Sequence, residues 1–516
     1  MLEIAEPNKM KSEVEILDEL DTIEETKLSS FIWLVCSAAS LGGFLFGYDT
    51  GIISAVLIYL STDLGHALSN HEKELVTSIT SGGAIFGTIA AGLTADKFGR
   101  KGSIYMGCTL FIVGALLQGT AFGVAQMAMG RLIIGFGIGS AAMVIPLYLA
   151  EVSPARLRGK MIGINTVSIT AGQLISYGVG AAFGSVSYGW RWMVGLSALP
   201  AILLACLLPF CPESPRQLVF HKKPEEAGKG LQKIFPNATS QQIEQKVRLI
   251  TVHVEMAAKI QDGKSKWWMF KQLFKDPANL RATTAACGVM ALSQFCGFNN
   301  LMYYSATLFA IIGFRNPVAI GSMIAAVNLI FTIFYICVVD HLGRRRVLLC
   351  TIWGMSLFLG LAAAAFYYTP ISADLSISVD AEVGWSAYLV LVSILGLVVF
   401  YAAGVGPLAW VSAEFFPMEV RSLGTMVLTL ANWAPNALVT SIFLTQMQKM
   451  TPTGTFAFYA SFCFLGWIAV YFCYPEVKGM KLESIREIFS DGFGIQKARD
   501  FQSELKRQRK NEMNAV

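Results

Sequence analysis

One carboxylate, Asp49, lies inside an almost uncharged stretch running from Ser30 to Leu60, within the glycine-rich run Gly42 to Gly51. Burying an acid in an apolar segment of that length costs roughly 3 kcal/mol even on the lenient insertion scale. Such a residue is expected to face a bundle interior or a wet cavity and to serve an ion or substrate pathway. A hydrated position at a helix end would relieve the cost, but apolar residues continue past Asp49 on both sides. The other charges with a pattern lie between apolar runs and come in matched sets: Asp96 with Arg100, Glu151 with Arg158, Asp340 with Arg344, and Glu414 with Arg421. Acids and arginines at helix ends can pair within or across neighbouring segments, and helix C-terminal carbonyls favour the cations there, so these sets read as a latch or gate on one face. Anchoring of positive charge at a membrane surface explains the arginines alone, not the acids that return with them.

The chain that must position these groups has 516 residues, of which 54% are hydrophobic and 15% charged, too apolar for a soluble protein. Twelve runs near membrane-spanning length start close to Phe31, Leu75, Ser103, Gln126, Met161, Trp192, Ala282, Pro317, Val347, Ser386, Leu423 and Thr455. The expected fold class is an all-α polytopic membrane protein of twelve transmembrane helices. Lysine and arginine crowd alternate loops (Lys97, Arg100, Lys101; Arg156, Arg158, Lys160; Arg344, Arg345, Arg346), while Lys73, Arg315 and Lys449 are sparse on the other side, which places both termini in the cytoplasm. The net charge of +5 is thus a topology signal, and nucleic acid is not an expected partner. The polar, acidic first residues lack a signal peptide's pattern. The ten cysteines show no spacing of a disulfide framework or zinc site and read as core filler, and the sequon at Asn237 falls in a loop predicted to be cytoplasmic.

An internal repeat organises the chain. Asp96-Lys-Phe-Gly-Arg-Lys recurs as Asp340-His-Leu-Gly-Arg-Arg, and Pro212-Glu recurs as Pro475-Glu. Glu151 and Pro212 are 61 residues apart, as are Glu414 and Pro475. Asp96 to Glu151 is 55 residues and Asp340 to Glu414 is 74, which assigns 19 extra residues to the second copy, best placed in the polar loop from Thr369 to Gly384. The division is an acidic tail (1–29), a six-helix half (30–214), a basic linker (215–281), a second six-helix half (282–475) and a tail (476–516), the halves related by pseudo-symmetry.

With these motifs in view, the chain resembles the sugar porter family of the major facilitator superfamily. The resemblance rests on Gly130-Arg131, Pro146-Leu-Tyr-Leu-Ala-Glu-Val-Ser-Pro, Gly189-Trp-Arg-Trp, Pro212-Glu-Ser-Pro-Arg, Gly297-Phe-Asn-Asn-Leu-Met-Tyr-Tyr-Ser and Pro475-Glu-Val-Lys-Gly. Within the family it looks most like proton-coupled myo-inositol transporters, through Asn165 to Gln173 and Gln294 to Ser305. The resemblance implies that Gln173, Gln294, Asn299, Asn300 and Asn328 hydrogen-bond polyol hydroxyls. It implies further that Phe46, Tyr303, Tyr304 and Trp410 line the cavity, with Asn432 and Trp433 as additional candidates. It also pairs Asp49 with Arg131. Three departures, Ser293 and Thr166 where the family often has glutamine and Ala409 where it often has proline, disfavour a hexose more than a polyol. The chemistry is consistent: a cyclic polyol offers hydroxyl edges and C–H faces, which suit neutral amides and aromatic plates. Each such residue taken singly is more often a satisfied buried amide or packing ring; their concentration in spans 5, 7, 8, 10 and 11 carries the reading.

The expectation is therefore a proton-coupled symporter importing myo-inositol or a related polyol or sugar by alternating access. Burial disfavours a charged carboxylate and a nearby guanidinium favours it, so a changing Asp49–Arg131 separation can load and release one proton. The alternatives are a hexose facilitator, in which that pair is structural, and a non-transporting sensor of the same fold. An enzyme is not expected: the spans hold no metal set, nucleophile elbow or phosphate loop. The expected partners are a small neutral polyol or sugar and the lipid bilayer, the expected state a monomer in the plasma membrane, and no cofactor is expected beyond the proton as coupling ion.

Overall fold

A computed structural model of the chain describes residues 23, 26, 28–154, 157–261, 265–371, 375, 384–416, 420–478, 480 and 487–504. Among the described residues every regular element is helical. Eight helical stretches are both long and apolar enough to cross a membrane. Two of them are double. Asn70–Gly119 breaks at Gly99 (φ 80°), and Arg421–Cys473 breaks at Thr451 (φ 62°). Two further crossings, Arg158–Phe183 and residues 277–312, are less apolar because they carry threonines, serines, glycines and amides. The result is twelve crossings: α1 (Phe31–Tyr59), α2 and α3 (the two arms of Asn70–Gly119), α4 (Val124–Val152), α5 (Arg158–Phe183), α6 (Gly189–Phe210), α7 (Pro277–Phe295 continued by Phe298–Ile312), α8 (Pro317–Leu342), α9 (Arg344–Tyr367), α10 (Trp385–Phe415), and α11 and α12 (the two arms of Arg421–Cys473). Every start lies within about five residues of the position expected from hydropathy, inside the usual uncertainty of helix ends.

Glycine rows let these helices approach closely, as membrane packing demands. A Cβ on Gly83 or Gly87 of α2 would lie 2.2 Å from the carbonyl oxygens of Leu132 and Phe136, and one on Gly135 or Gly139 of α4 would lie 2.1 Å from those of Thr80 and Ala84. The run around Asp49 has the same use. A Cβ on Gly47 would sit 1.8 Å from the Ile169 carbonyl oxygen, so α1 packs against α5 at backbone distance. Large apolar side chains on the outer surface, among them Phe86, Leu116, Ile175, Leu199, Trp353 and Leu465, are exposed where lipid would lie.

The halves meet along α1, α2 and α5 on one side and α7, α8 and α11 on the other. The chain just before α1 and the described segment after α12 share a face with the linker helices: the Ser29 amide donates to the Ile234 carbonyl (3.0 Å), and Arg281 at the start of α7 donates to the carbonyls of Phe489 (2.9 Å) and Ser490 (2.7 Å). Phe489 is buried against Phe415, ring centroids 5.3 Å apart, so residues 487–504 form part of this linker face.

Candidate functional site

Gln294 is the hub of the amide set. It ends the first segment of α7, where Gly297 (φ 79°) takes a left-handed turn that only glycine adopts freely, and the chain restarts at Phe298. The break lets Asn299 fold back and donate to Gln294 Oε1 at 2.5 Å. Asn436 donates to the same oxygen at 2.9 Å, while Gln294 Nε2 donates to Asn432 (2.6 Å) and Ser293 (3.1 Å). A broken helix near the bundle's middle is where transporters of paired halves place their sites. Between the halves, Asn328 of α8 donates to Gln173 of α5 at 2.7 Å, joining them through two neutral amides. Asn300 turns toward the last crossings, donating to Tyr459 (3.1 Å) and accepting from Thr440 (3.2 Å).

The aromatics frame this set. Phe46 meets Trp433 edge-on across the halves, centroids 5.2 Å apart. Trp433 is buried, and its indole Nε1 finds no acceptor among the described residues. Tyr304 stacks on Phe443 (5.4 Å) and donates to the Thr440 carbonyl (3.2 Å). Tyr303 is buried, and Trp410 is half-buried beyond a π-helical turn at Tyr401–Val405. Ser293 and Thr166 are spent locally, on the carbonyls of Met290 (2.6 Å) and Ile162 (3.2 Å), and offer little to a ligand.

Asp49 and Arg131 form a buried, two-point ion pair: Nη1 to Oδ1 3.2 Å, Nη2 to Oδ2 3.3 Å, with side chains 5% and 0% exposed. Asp49 lies ten residues before the end of α1, ~15 Å along the axis. Arg131 Nε has no partner among the described residues. Both helices belong to the first half.

The gate set divides. Arg100 is buried and grips Glu151 at two points (3.0 and 2.9 Å), Asp96 (2.9 Å) and the Ala95 carbonyl (3.0 Å). Arg344 stands 3.9 Å from Glu414, a looser and more exposed pair. Arg421 donates through Nε and Nη2 to the Phe416 carbonyl, both at 3.2 Å. Arg158 is exposed and is not brought to Glu151; the side chain of Asp340 is outside the described ones. Among the described residues, the ion pairs of Arg100 with Asp96 and Glu151 and of Arg344 with Glu414 each stay within one half.

Residues the sequence reasoning passed over complete the picture. Asn436 and Thr440 follow Asn432 at four-residue steps, one face of α11, which is the signal that could have found them. Ser81 of α2 donates to Asn436 (2.7 Å) across the halves. Tyr177 of α5 donates to the Met302 carbonyl (2.7 Å) and lies 2.6 Å from the Ser305 hydroxyl, itself 3.1 Å from that of Ser54. On the face opposite the linker, buried Glu74 accepts from the Thr445 amide (2.7 Å) and hydroxyl (2.8 Å). The repeated Pro-Glu acids cap helices: Glu213 accepts from the Lys101 amide (3.2 Å), and Glu476 from the amides of Arg344 (3.1 Å) and Arg345 (3.0 Å).

Comparison with known proteins bears on this geometry. Residues 35–489 match the family described as "Sugar (and other) transporter". The chain is 40% identical over 503 residues to myo-inositol transporter 1 of Cryptococcus neoformans var. grubii serotype A, covering 96% of this chain and 89% of that one. It is 41% identical over 483 residues to myo-inositol transporter 2 of Schizosaccharomyces pombe, covering 93% and 86%. Among solved structures it is similar to the proton:xylose symporter XylE bound to 6-bromo-6-deoxy-D-glucose, with a TM-score of 0.75 and 26% identity over 89% of this chain and 99% of that one.

Proposed function

We propose that this chain, which belongs to the sugar porter family of membrane transporters and is not an enzyme, imports myo-inositol or a close polyol by proton symport, with the linker face in the cytoplasm of a cell whose plasma membrane it crosses. The observation that carries the reading is the juxtaposition of two chemistries. A cluster of neutral amides and aromatics bridges the halves, and a buried ion pair lies within the first half. Relatives that share about two-fifths of the residues are myo-inositol transporters, and the similar solved structure is a proton symporter.

The amides bind and orient. Asn299, Asn432 and Asn436 each hydrogen-bond Gln294 in this structure, and a polyol replaces those bonds one hydroxyl at a time, while Trp433 Nε1 supplies a donor that has no partner among the described residues. The halves rock about the site, exposing it to one side and then the other. Because Asp49 and Arg131 ride on the same half, rotation of the halves does not by itself part them. It changes which water reaches them, and the carboxylate takes its proton on one side and yields it on the other. A potential near 100 mV contributes about 2.3 kcal/mol per charge and each pH unit about 1.4 kcal/mol. With a two-unit gradient one proton supplies about 5 kcal/mol, enough to concentrate a neutral solute several thousandfold.

The test is uptake of labelled myo-inositol into proteoliposomes with an imposed proton gradient. Wild type accumulates label above equilibrium and a protonophore abolishes this; Asp49→Asn exchanges label but does not accumulate it. Accumulation by Asp49→Asn, or by wild type without a gradient, refutes the coupling. Displacement by glucose as strong as by myo-inositol refutes the substrate.

A further inference from the structure

We propose that the linker face of the second half holds a phosphate-binding site, built between the first turn of α9 and the terminal helix formed by residues 495–504. A cavity of about 270 Å³ opens there, walled by Arg345, Arg346, Arg499, Glu476, Gln502 and Ser503. Three guanidinium groups thus share one space with one carboxylate.

That carboxylate is already committed. Glu476 Oε1 accepts from the Arg344 and Lys478 amides (3.1 and 3.2 Å) and Oε2 from the Arg345 amide (3.0 Å), so it serves the helix start rather than the guanidinium heads. Arg345 is held in place by the Tyr471 carbonyl (2.6 Å) and ring (5.5 Å), yet its Nε is buried with no partner among the described residues. Gln502 donates to the Lys478 carbonyl at 2.5 Å and pins the terminal helix against the cavity. Three guanidinium groups outnumber the single carboxylate in the wall, and such a surplus of like charge favours an anion that joins them. Guanidinium forks match the oxygens of a phosphate two at a time, and the Ser503 hydroxyl is a further donor in the wall. The volume lies just below the ~300–1,000 Å³ of drug-sized pockets, which suits a phosphorylated headgroup or a small phosphate ester. Tyr471 and Phe472, exposed on the outer side of α12, put the cavity beside the lipid surface, so the phosphate can come from a lipid or from solution. Its occupation ties the terminal helix to α9.

The experiment follows thermal unfolding of the purified full-length chain in uncharged detergent by tryptophan fluorescence. The probes are inorganic phosphate, myo-inositol hexakisphosphate and short-chain phosphatidylinositol 4-phosphate, with phosphatidylcholine of the same chain length as the neutral comparison. The expected result is a saturable rise in Tm with at least one phosphate probe and none with phosphatidylcholine. Saturation by the soluble probes identifies a free phosphate ester, and saturation by the lipid alone identifies a headgroup. Arg499→Glu and Arg346→Gln should each raise the half-saturating concentration at least about tenfold by removing a fork. Lys97→Gln, an exposed cation in the other half, should leave it unchanged. Arg346 is itself exposed, so its variant remains informative if Arg499→Glu does not fold. The proposal is overturned if no phosphate probe saturates, if both arginine variants titrate as wild type does, or if Lys97→Gln weakens binding as much as they do.

Discussion

Replacing Asp49 by asparagine keeps the shape of the side chain and removes its charge, leaving Arg131 wholly buried with no anion opposite it. Breaking one side of a buried ion pair costs about 3–5 kcal/mol, because the surviving charge stays desolvated. The contacts of 3.2 and 3.3 Å are at the long end of the hydrogen-bond range, which puts the expectation near the lower figure, about 3 kcal/mol. Arg131→Gln strands the acid instead, and the expected loss is similar. In the double variant Asp49→Asn/Arg131→Gln two neutral amides face each other, no charge is buried, and the remaining loss is about 1 kcal/mol for poorer hydrogen bonds. The two single losses total about 6 kcal/mol, so the coupling recovered in the cycle is about 5 kcal/mol. Thermal unfolding of the four proteins in one detergent reads this directly: both single variants melt well below wild type, and the double variant melts above either. If the double variant melts lower by the sum of the single losses, the pair is not coupled and the role given to it here fails.

Gln294→Ala removes four hydrogen bonds from the hub and leaves Asn432, Asn299 and Asn436 without their partner; at about 1–3 kcal/mol for stranded groups, the apparent affinity constant for polyol should rise roughly 5- to 150-fold in labelled uptake. Arg100→Gln should lower thermal stability more than Arg344→Gln. Arg100 and Glu151 are 6% and 7% exposed and bonded at two points, whereas Arg344 and Glu414 are 17% and 42% exposed at 3.9 Å, a geometry worth about 1 kcal/mol or less. Both changes should alter turnover more than equilibrium polyol binding, checked by comparing uptake rates with binding to purified protein. Gly47→Val should abolish folded protein on size-exclusion chromatography, since even a Cβ there meets the Ile169 carbonyl at 1.8 Å and no side-chain rotation relieves a clash with backbone.

The twelve crossings are legible because membrane-length apolar runs and a repeated set of loop motifs need no tertiary knowledge. α5 and α7 are the weakest on hydropathy alone, and for a functional reason: Gln173 and Gln294 belong to the amide set, and such residues dilute the apolar signal. The breaks at Gly99 and Thr451 fall between runs that the sequence already separates, the first inside the Asp96-Lys-Phe-Gly-Arg-Lys motif, the second just before Pro452. The amide set is legible as a list of types but not as a network, because bonds such as Asn328 to Gln173 span 155 residues and depend on helix rotation. Arg158 repeats in sequence the place of Arg421, yet the two do different things: one is exposed, the other turns onto a carbonyl five residues back. The Pro-Glu repeats are easy to see and hard to interpret, since the amides they cap lie more than a hundred residues earlier.

The division of bond types between and within the halves has a consequence for how the carrier responds to its medium. Among the described residues, the ion pairs of the bundle stay within a half: Asp49 with Arg131, Arg100 with Glu151, Arg344 with Glu414. The bonds that cross from half to half are between neutral groups, Gln173 with Asn328, Ser54 with Ser305, Ser81 with Asn436, Tyr177 with the Met302 carbonyl, save where Glu74 takes Thr445. Neutral partners trade each other for water at a net cost of about 1 kcal/mol apiece, and dissolved ions screen charges rather than dipoles. The reorientation of the empty carrier should therefore run at nearly the same speed from about 0.01 M to about 1 M salt, a span over which the Debye length falls from ~30 to ~3 Å. A cell that meets abrupt changes in the ionic strength of its surroundings would keep this transport step steady without adjusting it.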